Sequence, residues 1–499
     1  MSVLLAARAE NYLDRTAIGT PKGDFSYLQL LDASNRVASF LLNGSEDLLE
    51  SPVAFLAPPG FHYAALQWGI WRAGGIAVPL SLFHPRPELE YVLKDTSPAA
   101  VIAHPDYLDR LRSPAEELGR RFASSPEAIG CIPSGPLPEV SPDRRAMILY
   151  TSGTTGKPKG VVTTHANIAA QVTSLVDAWG WKSDDRILNV LPLHHVHGIV
   201  NVLACALWVG AACEFSPRFD PGETWNRIVR GGLTLFMAVP AIYMKLIEFW
   251  EKASPADRAR MSEACAGMRL MVSGSAALPV STLDRWKEIS GHVLLERYGM
   301  TEIGMGLSNP LHGKRTPGCV GTPLPGVEAR LVDEAGEPVE SGIPGEIEIR
   351  GSTVFAEYWN RPEDTRKAFM NGWFQTGDIA VEENGVYRIL GRRSVDIIKT
   401  GGYKVSALEI EETLRTHPDI QECAVVGVPD PVWGERVCAA LVLREGAILS
   451  VDSLREWGKE RLAPYKVPKD AAALDELPKN AMGKVSKPAL KKLMERGRG

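Results

Sequence analysis

The sequence predicts an α/β protein of more than one domain, and three observations carry this prediction. The chain has 499 residues, more than one hydrophobic core usually serves. Up to about residue 316, helix-length stretches alternate with short apolar runs, which is the rhythm of a doubly wound α/β unit. Short β patterns and then a compact α+β unit of about a hundred residues follow, so a change of architecture is expected in the second half.

The predicted elements of the first region follow one another in order along the chain. Apolar residues recur at helical spacing over 27–42, which predicts a helix. Short apolar runs bounded by Gly, Pro or polar residues predict buried strands. These runs are "PVAFLA" (52–57), "GIAVPL" (75–80), "AAVIAH" (99–104), "RILNVLPL" (186–193), "LTLFMAVP" (233–240) and "MRLMVSGSAAL" (268–278).

The period changes near residue 316, where Gly and Pro turns separate short β patterns. These patterns, "GVEARLVD" (326–333), "GEIEIRG" (345–351) and "GVYRILGR" (385–392), indicate a small β-barrel or sandwich. After "GRR" at 391–393 a last unit begins with an acidic helix and continues as strand, strand and helix. Its segments are "ALEIEETLRTH" (407–417), "ECAVVGVPD" (422–430), "ERVCAALVLRE" (435–445) and "SLREWGKERLA" (453–463).

Composition excludes several classes of function. Hydrophobic residues make up 45% and charged residues 23%, which is ordinary for a globular protein. The formal net charge of -5 leaves no electrostatic footprint for nucleic acid or an anionic membrane. No apolar run approaches the ~20 residues of a membrane span. We therefore expect small-molecule partners, no nucleic acid and no membrane span, and leave the oligomeric state open between a monomer and a weak dimer.

The cysteines and the N-terminal stretch bear on location. Seven cysteines are widely spaced and form no C-x-x-C pair, which disfavours a disulfide framework or a zinc site and favours a reducing compartment. "MSVLLAARAENYLDR" has no basic n-region, so no secretory signal is predicted. The expected location is the cytoplasm, with the mitochondrial matrix as the alternative if a transit peptide has been removed.

A glycine- and hydroxyl-rich loop is the first functional candidate. "TSGTTGKPKG" (151–160) follows the apolar run "AMILY" (146–150). Glycines free the backbone to turn N–H groups inward, and hydroxyls and lysines add donors and charge, so the loop favours a polyphosphate over the alternative of a plain surface loop. It is not a P-loop, because Pro158 follows Lys157 where Ser or Thr and a helix are required.

Four further motifs identify a family. "RYGMTE" (297–302), "GWFQTGD" (372–378), "GRRSVDIIKTGGYKV" (391–405) and "PKNAMGK" (478–484) stand, together with the loop, in an order and spacing that resemble the acyl-adenylate-forming superfamily. That superfamily includes acyl-CoA synthetases, luciferases and the adenylation domains of peptide synthetases.

The resemblance covers nearly the whole chain and implies its architecture. It implies an N-terminal domain (1–391) of two doubly wound α/β subdomains with a small β-barrel (about 316–391). It also implies a mobile α+β C-terminal domain (392–499) that carries the catalytic lysine.

By this resemblance the chain carries an ATP site with Mg²⁺. Tyr298 is implied to stack on adenine, Thr301 to contact the α-phosphate, and Glu302 to hold Mg²⁺, a hard ion that prefers carboxylate oxygen. Asp378 and Arg392 are implied to bind the ribose, although each of them, read alone, also fits a turn or a surface ion pair. The implied ATP-binding residues are Thr151, Ser152, Gly153, Thr154, Thr155, Gly156, Lys157, Gly274, Ser275, Ala276, Glu296, Tyr298, Gly299, Met300, Thr301, Asp378, Arg392 and Lys484.

The same resemblance implies two half-reactions: formation of an acyl-adenylate, and then transfer of the acyl group to CoA after the C-terminal domain rotates. Lys484 is implied to bridge the substrate carboxylate and the α-phosphate in the first step. The pivot falls at Ser394, where many relatives carry Asp or Lys. The implied catalytic residues are Lys484, Thr301, Glu302 and His195, and the implied CoA-binding residues are Lys399, Gly401, Gly402 and Tyr403.

The acyl pocket is expected near "LPLHHVHG" (191–198) and "VSGSAALP" (272–279), which resemble those of malonyl-CoA synthetases. Arg297, directly before Tyr298, is placed to pair a second substrate carboxylate bidentately. The alternative for Arg297 is a salt bridge to Glu296 or Glu302. The implied acyl-substrate residues are Arg297, His195, His197, Lys245 and Ser273.

The expected activity is an ATP-dependent ligase that makes malonyl-CoA, with methylmalonate as a second substrate. A CoA ligase for a monocarboxylic acid is the nearest alternative. Two others are an adenylating enzyme that transfers its acyl group to a carrier protein or to oxygen, and a nucleotide-binding regulator without catalysis. Acid panels, CoA dependence and pyrophosphate release distinguish them.

Overall fold

The strands of the protein follow the predicted alternation. The computed structural model describes residues 4–151, 157–216, 218–479 and 485–496. The strands, numbered in chain order, are β1 (Thr16–Thr20), β2 (Gly23–Ser26), β3 (Pro52–Leu56), β4 (Ile76–Pro79), β5 (Ala100–Ala103), β6 (Arg121–Ser124), β7 (Arg145–Thr151), β8 (Lys159–Thr164), β9 (Arg186–Asn189), β10 (Ala212–Phe215), β11 (Leu235–Ala238), β12 (Leu270–Gly274), β13 (Leu295–Met300), β14 (Gly304–Ser308), β15 (Thr322–Pro323), β16 (Val327–Val332), β17 (Gly345–Gly351), β18 (Glu357–Tyr358), β19 (Phe369–Met370), β20 (Trp373–Glu383), β21 (Val386–Arg392), β22 (Ile397–Thr400), β23 (Tyr403–Ser406), β24 (Ile420–Asp430), β25 (Gly434–Leu443) and β26 (Asp470–Ala473).

Helices connect most of the strands in the first three hundred residues. The α-helices are α1 (Leu4–Ala9), α2 (Tyr27–Leu42), α3 (Phe61–Arg72), α4 (Arg86–Thr96), α5 (Leu108–Glu117), α6 (Ser125–Ile129), α7 (His165–Trp179), α8 (Cys205–Val209), α9 (Pro221–Val229), α10 (Pro240–Lys252), α11 (Pro255–Ala266), α12 (Val280–Ser290), α13 (Pro362–Ala368), α14 (Ala407–Leu414), α15 (Val451–Lys459) and α16 (Lys487–Arg496). Short 3₁₀ helices span Glu10–Tyr12 and Pro105–Tyr107, and a π-helix spans His197–Ala204.

Two large sheets form the N-terminal part of the protein. One has the strand order β15-β14-β13-β12-β11-β9-β10-β1-β2, and the other has the order β18-β8-β7-β4-β3-β5-β6. The pairs from β13 to β1 in the first sheet, and from β7 to β6 in the second, are parallel. This arrangement confirms the predicted pair of doubly wound α/β subdomains. The outer strands pair antiparallel, which is common at the edge of such sheets.

Local sequence explains where the predicted helix over 27–42 begins and ends. Ser26 and Gln29 form a capping box, in which each side chain accepts a backbone N–H of the other residue. Asn43 ends the helix in the left-handed conformation, with φ of 44°. Between these signals, buried apolar residues recur along one face and pack into the main core.

Two smaller sheets complete the fold. The third sheet is antiparallel, with the order β16-β17-β20-β19 and β21 beside β20, so the predicted small barrel is a half-barrel. The fourth has the order β23-β22-β25-β24 with β26 beside β25, and it packs against α14 and α15 around its own core. A second small cluster on this last unit includes residues of α16.

The chain passes from the half-barrel to the last unit through a turn at 393–396, where the pivot was predicted. The two parts touch elsewhere as well. The Lys404 ammonium lies 2.6 Å from the Glu334 carboxylate. Glu412 accepts the backbone N–H of Val280 at the start of α12 (2.9 Å), where the helix leaves an N–H group without a partner inside the helix.

None of the helices in the described part of the chain is both long and apolar enough to cross a membrane.

Candidate active site

The glycine-rich loop connects β7 to β8, two antiparallel strands in which Thr151 pairs with Lys159. A strand therefore follows the loop where a P-loop would require a helix, in agreement with the sequence argument. Ser152, Gly153, Thr154, Thr155 and Gly156 lie outside the described residues. Lys157 is exposed, and its ammonium lies 5.8 Å from the centre of the Tyr91 ring.

Buried polar contacts fix the strands on both sides of this loop. The Tyr150 hydroxyl donates to Asp95 (2.6 Å), and Asp95 also pairs with Arg361 (3.1 Å). The Tyr91 hydroxyl donates to the Pro158 carbonyl (2.8 Å). The strand residues at the two ends of the predicted phosphate loop are thus held to one side-chain network.

Asp378, Arg392 and Tyr298 form the predicted nucleotide corner. Asp378 and Arg392 face each other across β20 and β21, and Arg392 Nε lies 3.0 Å from Asp378 Oδ1. The Tyr298 hydroxyl donates to Asp378 Oδ2 (2.5 Å). Asp378 is only 6% exposed, and burial raises its pKa, while the nearby Arg392 charge opposes that rise. The three residues therefore lie together as the motif order implied.

Glu302 is a buried carboxylate in the turn between β13 and β14. It is 6% exposed, and burial raises its pKa, while the hydrogen bond from the Tyr358 hydroxyl to Oε1 (3.0 Å) opposes the rise. The Glu302 carbonyl also accepts the Phe355 N–H (2.7 Å), which fixes the backbone here. A divalent cation would offset the cost of this buried charge, so the donor fits Mg²⁺ held by one carboxylate and by substrate phosphates. Thr301 is half-buried beside it.

The parallel pairing of β12 and β13 builds the wall of the predicted acyl pocket. Gly274 pairs with Arg297, and a Cβ at Gly274 would lie 2.6 Å from Arg297 Cζ, so the guanidinium lies directly against the glycine backbone. Ser275 follows in the left-handed region, with φ of 69°, a conformation that is uncommon for serine. The close approach at Gly299 is similar, because an added Cβ would lie 2.1 Å from the Gly304 carbonyl. Ala276 is exposed and Met300 is half-buried.

Arg297 is 3% exposed, and one of its nitrogens has a hydrogen-bond partner. Nη2 donates to Ser275 Oγ (3.1 Å), and that hydroxyl lies 3.3 Å from His197 Nδ1. Nε and Nη1 are buried with no hydrogen-bond partner among the described residues. Burial lowers the pKa of Arg297 to about 9, which leaves the side chain charged at neutral pH.

The alternative in which Arg297 pairs with a neighbouring glutamate is not what the structure shows. Glu296 Oε1 accepts the Gly318 N–H (3.0 Å), and Glu302 accepts the Tyr358 hydroxyl. Successive residues of a strand face opposite sides of a sheet, which separates Glu296 from Arg297. Burial raises the pKa of Glu296 to about 8. Neither glutamate neutralises Arg297, so the guanidinium has no carboxylate partner among the described residues.

The other predicted acyl-pocket residues differ in how deeply they are buried. His197 opens the buried π-helix, a rare element that often marks functional sites. His195 is half-buried, with its ring 4.2 Å from that of His194. Ser273 is fully buried on β12. Lys245 is exposed on α10, and the buried Tyr243 of the same helix faces the core, so the structure gives Lys245 no visible place in this cluster.

The predicted CoA-binding residues lie on the surface of the last unit. Gly401 and Gly402 form the two-residue turn between β22 and β23, with φ of 55° and 82°, as a type I′ hairpin requires. Tyr403 is 53% exposed and stacks on Tyr465 at 4.2 Å. Lys399 is exposed on the same hairpin.

Ser394 is exposed in the turn that joins the two parts of the chain. Lys484 lies outside the described residues. Three residues that sequence reasoning did not assign to the site also contribute: Tyr358 holds Glu302, Asp95 fixes the strand before the loop, and Lys487 pairs with two carboxylates beside the turn. Only long-range contacts reveal these three, and no local pattern marks them.

Comparison with known proteins agrees with this geometry. The chain is 47% identical over 521 residues to the human protein "Malonate--CoA ligase ACSF3, mitochondrial", with 97% of this chain and 90% of that protein covered. The crystal structure of ATP-bound MatB from Rhodopseudomonas palustris matches with a TM-score of 0.92 and 35% identity over 100% of both chains. The apo structure of the same protein matches with a TM-score of 0.81, also at 35% identity and over 100% of both chains. The arrangement of this chain is thus more similar to the ATP-bound form.

Family models cover both parts of the chain. The model described as "AMP-binding enzyme" matches residues 5–359, and the one described as "AMP-binding enzyme C-terminal domain" matches residues 409–484. The first match alone spans more than half of the chain and includes the phosphate loop, the Arg297 wall and Glu302. The chain belongs to the AMP-binding enzyme family.

Proposed function

We propose that this protein is an AMP-forming acid–thiol ligase that converts malonate, ATP and CoA to malonyl-CoA, AMP and diphosphate, with methylmalonate as a second substrate. The observation that carries the choice of acid is Arg297, a buried cation with two nitrogens, Nε and Nη1, that lack hydrogen-bond partners among the described residues. A diacid supplies the missing carboxylate, and a monocarboxylate does not. The name of the human relative, malonate–CoA ligase, supports the same substrate.

In the first half-reaction, one carboxylate oxygen of malonate attacks the α-phosphorus of ATP, and the bond to diphosphate breaks. Asp378, Arg392 and Tyr298 hold the nucleoside, and Thr301 contacts the α-phosphate. When bound, Mg²⁺ would neutralise phosphate charge beside Glu302. Lys484 would stabilise the charge that develops on the transferring group. The second malonate carboxylate stays on Arg297, so the reacting one is oriented toward phosphorus.

In the second half-reaction, the CoA sulfur attacks the acyl carbon of malonyl-AMP, the thiol loses its proton, and AMP leaves with the former carboxylate oxygen. The Gly401–Gly402 turn would then face the pantetheine arm. In the described arrangement Tyr403 beside this turn is exposed, and the Lys404–Glu334 pair joins the two parts of the chain. We infer that this arrangement serves adenylation and that the last unit rotates about Ser394 for the second step.

An acid panel tests the proposed substrate. Pyrophosphate release is measured with acetate, malonate, methylmalonate, succinate and octanoate at equal concentration. We expect malonate to give the highest kcat/KM, with methylmalonate next. Higher values for acetate or octanoate would instead support a monocarboxylate ligase. Release of AMP and malonyl-CoA only when CoA is present separates a CoA ligase from an enzyme that loads a carrier protein.

Replacing Gly402 with Leu should slow transfer to CoA about tenfold, since a side chain then projects where the thiol arm passes, while adenylation continues. An added Cβ at Gly402 has no atom within 4 Å, so the described arrangement leaves room for the side chain. The two half-reactions are measured separately, by ATP–pyrophosphate exchange and by transfer from supplied malonyl-AMP.

Gly385→Leu is the matched control for backbone strain. Gly385 also has a positive φ, 80°, with open space around its Cβ position, and it lies at the end of the β20–β21 hairpin remote from the Asp378–Arg392 pair. Gly385→Leu should leave the ratio of the two half-reactions unchanged. If Gly402→Leu instead loses exchange and keeps transfer to CoA, the assignment of this turn to the second step is wrong.

The cysteines and the name of the human relative bear on the location of the protein. No disulfide joins the seven cysteines, all of which lie in the described part of the chain, and this fits either the cytoplasm or the mitochondrial matrix. The name of the human relative includes the word mitochondrial, which supports the mitochondrial alternative. Sedimentation at micromolar concentration distinguishes a monomer from a weak dimer.

A further inference from the structure

Lys487 is a buried lysine held between two carboxylates near the junction of the two parts of the chain. Its ammonium lies 2.6 Å from Asp396 Oδ1 and 2.7 Å from Glu411 Oε1, and all three side chains are largely buried. Burial lowers the pKa of Lys487, but the charges of Glu411 and Asp396 outweigh that effect and raise it. Arg415 pairs with both Glu411 and Glu412 (3.2 Å each), so two cations face three carboxylates. The opposite charges hold the Lys487 ammonium between Asp396 and Glu411.

One side of this cluster is the turn that joins the two parts of the chain. Asp396 Oδ2 accepts the backbone N–H of Arg392 (3.0 Å), while the Asp396 N–H donates to the Arg392 carbonyl (2.8 Å). Asp396 therefore closes the turn that contains Ser394. The same Arg392 binds Asp378 in the nucleotide corner through its guanidinium. The Lys487 ammonium is thus linked, through one carboxylate, to the backbone of a ribose-binding residue.

The other side of the cluster is the start of α16, which follows the segment with the predicted catalytic lysine. Lys484 lies three residues before Lys487, so no more than about 11 Å of chain separates their Cα atoms. The described residues that flank this segment pair with each other: Lys479 and Val485 form a β-bridge, and Ser486 N–H donates to the Pro478 carbonyl (2.7 Å). Lys487 directly follows Ser486 and is the first residue of α16.

We propose that Lys487 is a positioning residue for adenylation: by pairing with Asp396 and Glu411 it fixes the start of α16 relative to the turn at 393–396 and to the proposed ribose-binding pair. It touches no reacting atom. Rotation about Ser394 changes the relation between Arg392 and Asp396, so the link matters in the first half-reaction and not in the second. Because Lys484 acts in the proposed adenylation, this role of Lys487 rests on the proposed function.

The test compares both half-reactions in the full-length Lys487→Met variant. We expect adenylation, measured by ATP–pyrophosphate exchange, to fall about 10- to 100-fold in kcat with little change in KM for ATP, which is the scale of misplaced groups remote from the chemistry. Transfer from supplied malonyl-AMP to CoA should change less than about threefold on the same scale. Lys487→Arg keeps the charge and should recover most of the exchange rate.

Lys491→Met is the matched control. Lys491 lies one turn further along α16 and pairs with Glu435 (3.3 Å), outside the Lys487 cluster. It should leave both half-reactions unchanged. Equal losses in the two half-reactions of Lys487→Met would mean that the cluster only stabilises the fold, and the proposal would then be wrong. It would also be wrong if Lys487→Arg were as slow as Lys487→Met.

A failure of the Lys487 proposal can be distinguished from a failure of the proposed function. If the wild-type protein released no pyrophosphate with malonate, the proposed substrate would be wrong. The Lys487 comparison would then use whichever acid of the panel supports exchange, and the ratio of the two half-reactions would still decide it.

Discussion

Replacing Lys484 with Ala should slow adenylation on the order of 10²–10³-fold, the usual effect of removing one preorganised electrostatic stabiliser. The lysine would lie where negative charge accumulates between the attacking carboxylate and the α-phosphate, and an alanine cannot replace that charge. Transfer of the acyl group from supplied malonyl-AMP to CoA should be nearly normal, because the proposed rotation removes Lys484 from the site before that step. Exchange and transfer are measured on the same preparation.

Lys479→Ala provides the control for this variant. Lys479 lies in the same motif and pairs with Glu422 on the surface of the last unit (2.9 Å). An exposed pair of this kind contributes little, so both half-reactions should stay close to wild type. Similar losses in the two half-reactions of Lys484→Ala would refute the two-state use of the last unit, whatever the total loss of activity.

Much of the fold follows from local sequence. The periodic stretch 27–42 coincides with α2, because the capping box and the left-handed Asn43 mark its ends chemically. The apolar runs at 52–57, 75–80 and 99–104 form adjacent parallel strands, and their short length between turn residues favoured a buried strand over a helix. The change of pattern near 316 marked the half-barrel, but the pattern could not decide whether its sheet closes.

The candidate site was predictable where strand register brings motif residues together. Asp378 and Arg392 come from separate motifs, yet they are cross-strand neighbours on β20 and β21. Tyr358 holds Glu302 from 56 residues away, and no periodicity or spacing encodes such a contact. Lys487 stood outside the recognised motif, and only its two carboxylate partners reveal its importance. Lys245 was expected in the acyl pocket, but it lies on the exposed face of α10. The motif did not show which face of the helix this residue occupies.

Arg297→Ala should lower kcat/KM for malonate, mostly through a higher KM. The expected loss of transition-state stabilisation is ~2–5 kcal/mol, which is the usual cost of removing one partner of a buried charge pair. Malonate bound for adenylation has its second carboxylate one methylene beyond the reacting one, in a pocket where an uncompensated charge costs several kcal/mol. Acetate and propionate have no second carboxylate and should lose far less. The measurement is the ratio of kcat/KM for malonate to that for propionate, in wild type and variant.

Thermal unfolding and the Arg297→Lys variant distinguish loss of charge recognition from a packing defect. In the absence of substrate, the buried guanidinium has one hydrogen bond, to Ser275, among the described residues, so its removal should not lower Tm. Saturating malonate should raise Tm of the wild type and not of Arg297→Ala. Arg297→Lys should restore only part of the malonate preference, because a point charge cannot reproduce the guanidinium fork. If the malonate-to-propionate ratio stayed unchanged in Arg297→Ala, Arg297 would not select the diacid.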